Sequence, residues 1–392
     1  MHSTDKTFAL VRPASGGTVI PDRYRAGPGR HRRVAVAVAA ALALVAGCGT
    51  TAPEPTAVWQ TPSGSAVPHG AGPSGPPPSG GGPRDITLEF AGDVHFTGRT
   101  AKLLDDPATA FGPITQLLSS ADVTVLNLET VVTTRGTPQP KRFHFRAPAG
   151  AFTAVRDAGI DAVTIANNHI LDYGRVGLAD TLAAARAADY PAFGAGADAA
   201  AAWAPWTTTV AGTRIAYLGF SDVQELASSW IATPDRSGVA HANDLSRTLD
   251  AVRAARKLAD VVVVFMHWGT EGDSCPNASQ KSLAQKLADA GADIIIGSHV
   301  HTLQGSGWLG HTFVAYGMGN FLWYINSWST QTGVLRLTLH PGARVPYKEE
   351  FTPAIVSATG QPVVQTGKQG KAISDRYASL RACAGLSANP TP

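Results

Sequence analysis

The feature that most constrains this chain is a fivefold repetition: an apolar, β-rich run that stops in a cluster of polar residues. Ile86 to Phe90 leads into Gly92-Asp93-Val94-His95, Asp122 to Leu126 into Asn127-Leu128-Glu129, and Asp161 to Ile165 into Asn167-Asn168-His169. Asp260 to Met266 leads into His267-Trp268-Gly269-Thr270-Glu271, and Asp293 to Ile296 into Gly297-Ser298-His299-Val300-His301. Ala-rich segments with helical spacing lie among these runs, at Val176 to Ala188, Leu245 to Leu258 and Gln280 to Ala290. Two stretches close alike, in Asp157-Ala158-Gly159 and Asp289-Ala290-Gly291, with Gly suited to the position just past a helix end. The alternation predicts βαβ units and a largely parallel sheet, whose strands are apolar throughout because both faces are covered. In open α/β sheets ligands bind beyond the carboxyl ends of the strands, and all five clusters fall there.

Those clusters hold Asp93, His95, Glu129, Asn168, His169, His267, His299 and His301, a set of imidazole and oxygen donors without a thiolate. Such donors suit borderline or hard divalent ions, Zn, Mn, Fe or Ca. Eight candidates exceed the needs of one tetrahedral ion, whereas two ions ~3.5–4 Å apart would use them and would clamp both oxygens of a phosphoryl transfer. An isolated Asp or His at a strand end is usually a cap. Five of the twelve histidines in these clusters favour a joint metal site.

The first 84 residues read differently. Arg30, Arg32 and Arg33 precede an apolar run of 13 residues, Val34 to Ala46, too short to span a bilayer and the length of a signal-peptide core. It ends in Val45-Ala46-Gly47-Cys48, which resembles a bacterial lipobox with Cys48 as the lipidated residue; the alternative is an ordinary secretory signal. Residues 1–47 are therefore expected to be leader and signal, and the polar stretch 1–29 an over-extended start. Residues 48–84, rich in Pro, Gly and Ser, are expected to be a tether. Export would place the protein outside the cytoplasm, anchored to the membrane, or secreted if the lipobox is not used. It also makes Cys275 and Cys383 either a disulfide or two free thiols.

Charge supports this division. The 392 residues carry 32 Lys+Arg against 29 Asp+Glu, a formal +3. Removing residues 1–47, with seven of the basic and two of the acidic residues, leaves 25 against 27, or −2. A near-neutral body argues against nucleic acid as a partner.

Gly92-Asp93-Val94-His95, Asn168-His169, His267 and Gly297-Ser298-His299-Val300-His301 resemble the successive motifs of calcineurin-like metallophosphoesterases. More narrowly, Phe90-Ala91-Gly92-Asp93, Asn127-Leu128-Glu129, Ala166-Asn167-Asn168-His169 with Asp172 and Gly174, His267-Trp268-Gly269 with Glu271, and Tyr316-Gly317-Met318-Gly319-Asn320-Phe321 resemble the CapA-like poly-γ-glutamate capsule-synthesis family. The resemblance implies a single α/β domain over residues 85–386, a four-layer α/β/β/α metallophosphatase-like sandwich with two divalent metal ions. By motif matching, Asp93, His95 and His301 would bind one metal, Asn168, His267 and His299 the other, and Glu129 would bridge. His169 would serve the leaving group, with Asp172 orienting it or capping a helix. Glu129 stands where metallophosphoesterases usually carry Asp in a Gly-Asp-x-x-Asp element, which leaves the bridging position open.

Lys141, Arg142, His144 and Arg146 gather within six residues, and Arg146 and His144 are expected either to contact substrate or to lie on a solvated strand. Trp323, Tyr324 and Trp328 either line a groove or pack the core. Beyond Trp328, Gly333 to Leu339, Val345 to Ile355 and Gln361 to Gln365 read as antiparallel strands completing the second sheet, with a helix near Ile373 to Leu386 and a frayed tail at 387–392. Two functions are consistent with this reading: a phosphoester hydrolase acting on an envelope or polymer-linked substrate, and a non-catalytic accessory to membrane polymer-synthase subunits that binds an anionic polymer.

Overall fold

The structure, a computed structural model, describes residues 84–326 and 329–391; the expected signal, tether and Cys48, and also Trp328, lie outside them. Its main strands are β1 (Ile86–Val94), β2 (Val123–Leu128), β3 (Ala162–Thr164), β4 (Ala192–Phe193), β5 (Trp206–Val210), β6 (Thr213–Ser221), β7 (Val261–His267), β8 (Ile294–Ser298), β9 (Ser306–Leu309), β10 (Thr312–Ala315), β11 (Asn320–Leu322), β12 (Gln331–Leu339), β13 (Lys348–Val356) and β14 (Pro362–Val364). Its longer helices are α1 (Gly150–Asp157), α2 (Gly174–Ala187), α3 (Leu245–Leu258), α4 (Ala278–Ala290) and α5 (Gly367–Ser379). None of the described helices is long and apolar enough to cross a membrane.

Two sheets form. The first runs β14-β13-β12-β1-β2-β3-β4, with β11 also pairing with β1; the second runs β9-β10-β8-β7-β6-β5. The five runs read from sequence are β1, β2 and β3 of the first sheet and β7 and β8 of the second, and each set is parallel within its sheet. Period-2 alternation sorts the side chains into layers. Val261, Val263 and Phe265 of β7 pack with Leu88, Phe90, Val125 and Ile296 between the sheets. Val262, Val264 and Met266 point the other way, onto Val252 of α3 and Leu283 and Leu287 of α4. Leu126, Leu128 and Val163 pack on Phe152 and Val155 of α1 and Leu178 of α2. The result is a four-layer α/β/β/α sandwich. Each buried side chain of this size contributes about 1.5–3 kcal/mol.

The C-terminal strands correct one expectation. β12 to β14 are antiparallel as read, but β12 pairs with β1, so they widen the first sheet and leave the second untouched. The final helix is also displaced: α5 ends at Ser379, and a separate turn follows at Arg381–Ala384. The tail is tied rather than frayed, since Ser387 exchanges two backbone hydrogen bonds with Trp308 and Thr391 donates to the Gly310 carbonyl. Cys275 and Cys383 form a disulfide with Cα atoms 5.7 Å apart, pinning the loop after β7 to the C-terminal turn.

Candidate metal centre

Two glycines bring the strand ends together. A Cβ on Gly92 would lie 1.9 Å from the Gly319 carbonyl oxygen, and one on Gly297 would lie 1.9 Å from that of Tyr316. Their bare backbones let the 316–320 segment pass against the ends of β1 and β8, where Gly319 accepts from the Asp93 backbone N–H at 2.9 Å. This close approach is the physical content of the Phe90-Ala91-Gly92-Asp93 and Tyr316-Gly317-Met318-Gly319-Asn320-Phe321 motifs.

The side chains of both sheets then meet. Asp93, His95, Glu129, His267 and His299 are all buried. Glu129 lies between the sheets' imidazoles: Oε2 is 3.1 Å from His95 Nε2, and Oε1 is 3.3 Å from His267 Nε2 and 3.9 Å from His169 Nε2. One ligand atom each from Glu129, His299 and His301 falls within 4.8 Å of the others. Asn168 Oδ1 is 2.8 Å from His267 Nε2, and His301 Nδ1 is 3.2 Å from Asp93 Oδ2. All seven residues expected to bind metal are thus drawn into one cluster.

Amides connect it. In register with Asp93 on β2, Asn127 donates to Asp93 Oδ1 at 2.8 Å and accepts from Asn167 Nδ2 at 3.0 Å. Asn167 Oδ1 in turn accepts from the His169 backbone N–H at 3.0 Å. Ser298 Oγ lies 2.9 Å from His267 Nδ1 and 3.4 Å from the Met266 carbonyl oxygen. A chain from Nδ1–H through the hydroxyl to that carbonyl would leave His267 Nε2 free to ligate. Sequence reading gave none of Asn127, Asn167 or Ser298 a role, although all three sit inside the quoted motifs.

The electrostatics favour a cation. Burial raises the Glu129 carboxyl, but the imidazoles of His267, His95 and His301 outweigh it and hold the group well below its ordinary range. Burial lowers His301, yet Glu129, Asp93 and Glu271 lift it to about 9. Burial, reinforced by His267 and His301, pushes His299 well down. The buried His95 Nδ1 and His299 Nδ1 have no hydrogen-bond partner among the described residues. His299 and His301 both adopt left-handed backbone, with φ of 84° and 56°, a conformation costing a non-glycine residue ~1–3 kcal/mol. Orphaned imidazole nitrogens, a shared ionised carboxylate and strain concentrated in the 297–301 loop are what a divalent-metal site requires. The donor set therefore fits the metals that the sequence implies.

His169 stands beside the cluster. Its Nδ1 is 2.7 Å from Asp172 Oδ2, and Asp172 also accepts from the Phe145 backbone N–H. Lys141, with its side chain 1% exposed, lies 3.0 Å from Asp172 Oδ1 and 3.0 Å from Glu225 Oε2, and donates to the Asn168 carbonyl. Burial and the Lys141 ammonium push His169 well below the usual imidazole range. Burial raises Asp172 to about 7 against the pull of Lys141. A cavity of about 210 Å³ opens over His169 and His301, walled by Phe143, Phe145, Trp323 and Tyr324. Arg146 and His144 are not among its lining residues. Arg146 is exposed and stacks on Tyr173 at 4.6 Å, and His144 Nε2 meets the Gln139 carbonyl at 2.6 Å. The same segment gives Phe143 and Phe145 to the cavity lining.

Two facing sheets with helices outside, and carboxylate, amide and imidazole donors gathered where strands of both sheets end, define a four-layer α/β protein with a candidate metal centre. The chain belongs to the bacterial capsule synthesis protein family PGA_cap, whose profile matches residues 87–324. It is 30% identical over 294 residues to the PGA biosynthesis protein CapA of Bacillus subtilis, covering 74% of this chain and 76% of that one. It is 32% identical over 246 residues to the capsule biosynthesis protein CapA of Bacillus anthracis, covering 60% of this chain but only 59% of that one. A Mycobacterium tuberculosis protein named "Probable polyglutamine synthesis accessory protein" is 34% identical over 196 residues, covering 47% of this chain and 50% of its own. Among solved structures, a phosphatase of Mycoplasma pneumoniae aligns at a TM-score of 0.45 and 12% identity, covering 74% of this chain and 97% of its own. The NAD nucleotidase of Haemophilus influenzae aligns at 0.41 and 14%, covering 79% and 58%. At those scores neither bears on the chemistry of this chain.

Proposed function

We propose that this protein is an extracytoplasmic lipoprotein of capsule or exopolymer biosynthesis, of the poly-γ-glutamate type, with a two-metal phosphoester hydrolase site. The observation that carries the hydrolase reading is the Glu129 carboxylate, set between His95 and His267 from opposite sheets with His299 and His301 beside it. Asp93, His95, Glu129, Asn168, His267, His299 and His301 would hold the ions. When bound, divalent ions supply Lewis acidity and charge neutralisation at a phosphoryl oxygen. The chain's own residues do the rest. Asn127 and Asn167 hold Asp93 and His169 in place, Asp172 holds His169 through Nδ1, and His169, which lines the pocket, would give a proton to a departing oxygen there. The Phe145, Trp323 and Tyr324 rings limit water's access.

The test is metal content together with turnover of a generic phosphodiester by the full chain. Two metals per chain, with hydrolysis falling ~10²–10⁴-fold on His169→Ala while metal is retained, is the expected result. A second reading is suggested by the name of the mycobacterial relative: an accessory to membrane polymer-synthase subunits, using the pocket to bind an anionic polymer. Full metal loading without turnover on any phosphoester would put that reading first, and no metal under any condition would remove both. Lipidation at Cys48 would hold the domain at the membrane. Cys48→Ala is expected to move the protein from the membrane fraction to the soluble one, and unchanged fractionation would discard the anchor.

A further inference from the structure

The cavity over His169 and His301 has a composition that an anionic polymer does not explain. Its lining is Phe143, Phe145, Trp323, Tyr324, Ile325 and Asn326, with His169 and His301 as floor and Glu271 as the one carboxylate; no Lys or Arg is among these residues. Glu271 is 59% exposed at the side chain and lies 4.0 Å from His301 Nε2, and Arg142, stacked 4.8 Å over the Phe143 ring, is not among the lining residues. Lys141, the nearest buried cation to His169, is already paired with Asp172 and Glu225. Two large apolar side chains, Phe143 at 46% and Ile325 at 47%, are exposed at this one mouth.

The polar groups narrow the occupant further. Trp323 is 5% exposed, yet its indole Nε1–H has no hydrogen-bond partner among the described residues. That indole N–H is itself shut off from solvent, so the occupant's polar partners are the exposed Glu271 carboxylate and Asn326 amide, an acceptor and a donor that hydroxyl groups, which both give and receive, satisfy together. The aromatic wall is also angled: Tyr324 is tilted 59° to both Phe145 and Trp323. Such a corner offers no pair of parallel faces for a flat base but fits the C–H faces of a puckered ring. Arg99 holds the wall in place, donating to the carbonyls of Trp323 and Ile325 and to Asn326 Oδ1 at 2.7–2.9 Å.

We propose that this cavity binds an uncharged, hydroxylated sugar ring, the leaving group of a sugar phosphoester whose phosphate lies over the metal cluster. The placement of the phosphate rests on the hydrolase reading above; the recognition of the ring does not. In the reaction, the oxygen of water bonds to phosphorus as the phosphorus–oxygen bond to the ring breaks. One proton of that water ends on the sugar hydroxyl and the other on the released phosphate.

Two measurements on the metal-loaded full chain separate the claims. Saturation-transfer NMR with methyl α-glucopyranoside reads ring binding without catalysis, and transfer to the ring protons is expected, with loss in Phe143→Ala at a side chain that is 46% exposed, the variant's urea midpoint staying that of the wild type. Hydrolysis then compares glucose 1-phosphate, adenosine monophosphate and glycerol 2-phosphate, which has no ring. The expected kcat/KM order puts glucose 1-phosphate about tenfold above glycerol 2-phosphate, with that ratio falling about three- to tenfold in Phe143→Ala. Ring binding without turnover of any phosphoester would uphold the proposal and sink the hydrolase reading. Turnover with no preference for the sugar, a preference for adenosine monophosphate, or displacement of the glucoside by poly-γ-glutamate would each overturn the proposal while leaving the hydrolase reading or the accessory reading standing. Neither ring binding nor turnover would remove both.

Discussion

The two sheets contribute unlike things to one centre. The first supplies Asp93, His95, Glu129, Asn168 and His169 from strand ends knitted together by Asn127 and Asn167, and with them both carboxylates of the cluster. The second supplies only imidazoles, His267, His299 and His301, the last two on left-handed backbone. Negative charge and order come from one side, imidazole donors and strain from the other, with His301 lifted to about 9 chiefly by the carboxylates it faces. The difference teaches where the site's energy resides: a buried carboxylate is stable only among cations or protonated imidazoles, and a strained loop persists only if its surroundings hold it.

The most forceful way to break the comparison is to remove what joins its halves. Gly92→Ala would drive a Cβ into the Gly319 carbonyl at 1.9 Å, and the backbone, not a flexible side chain, would have to move. A loss of about 3 kcal/mol or more is expected from urea unfolding, with metal binding lost as well. A wild-type midpoint in the variant would show that the two segments are not locked. Next comes the contrast itself. Glu129→Gln should weaken divalent-metal affinity by at least ~100-fold in a chelator competition, and His299→Ala by less, because only the first removes charge from the cluster along with a donor. Equal losses would erase the distinction between the sheets.

The smallest effect lies at the opposite end of the second sheet, where that sheet does carry a carboxylate. Asp260 is held down to about 2 by hydrogen bonds from the Arg214 side chain and backbone. Because its folded value is depressed, the pair's contribution is present above the ordinary Asp range near ~4 and is lost as pH falls toward about 2. Both side chains are substantially exposed, so solvent screens most of it. A slight drop in the urea midpoint across that window, flattened in Arg214→Ala, is the expected outcome; an unchanged slope in the variant would assign the drop to other carboxylates.

Much of the centre was legible before the fold was known. Parallel strands covered on both faces are written as unbroken apolar runs, so the abrupt change to Asp, Glu, Asn and His at their ends marks the edge where ligands collect. The amides were harder to see. Asn127 and Asn167 look like ordinary strand-end polar residues until register places Asn127 beside Asp93. Phe143 and Phe145 were hidden for a related reason: the way a short segment turns its alternate side chains is set by what it packs against. Here that choice gave Phe143 and Phe145 to the cavity.

By itself the sequence determined the alternation of strand and helix, the donor chemistry of the strand ends and the family, because these depend on local periodicity and residue type. The tertiary structure decided which strands share a sheet, that β12 to β14 widen the first, and that Trp323 and Tyr324 wall a cavity with Phe143 and Phe145 from ~180 residues away. Those outcomes depend on which surfaces meet across long separations, and no local pattern of residues encodes such a meeting.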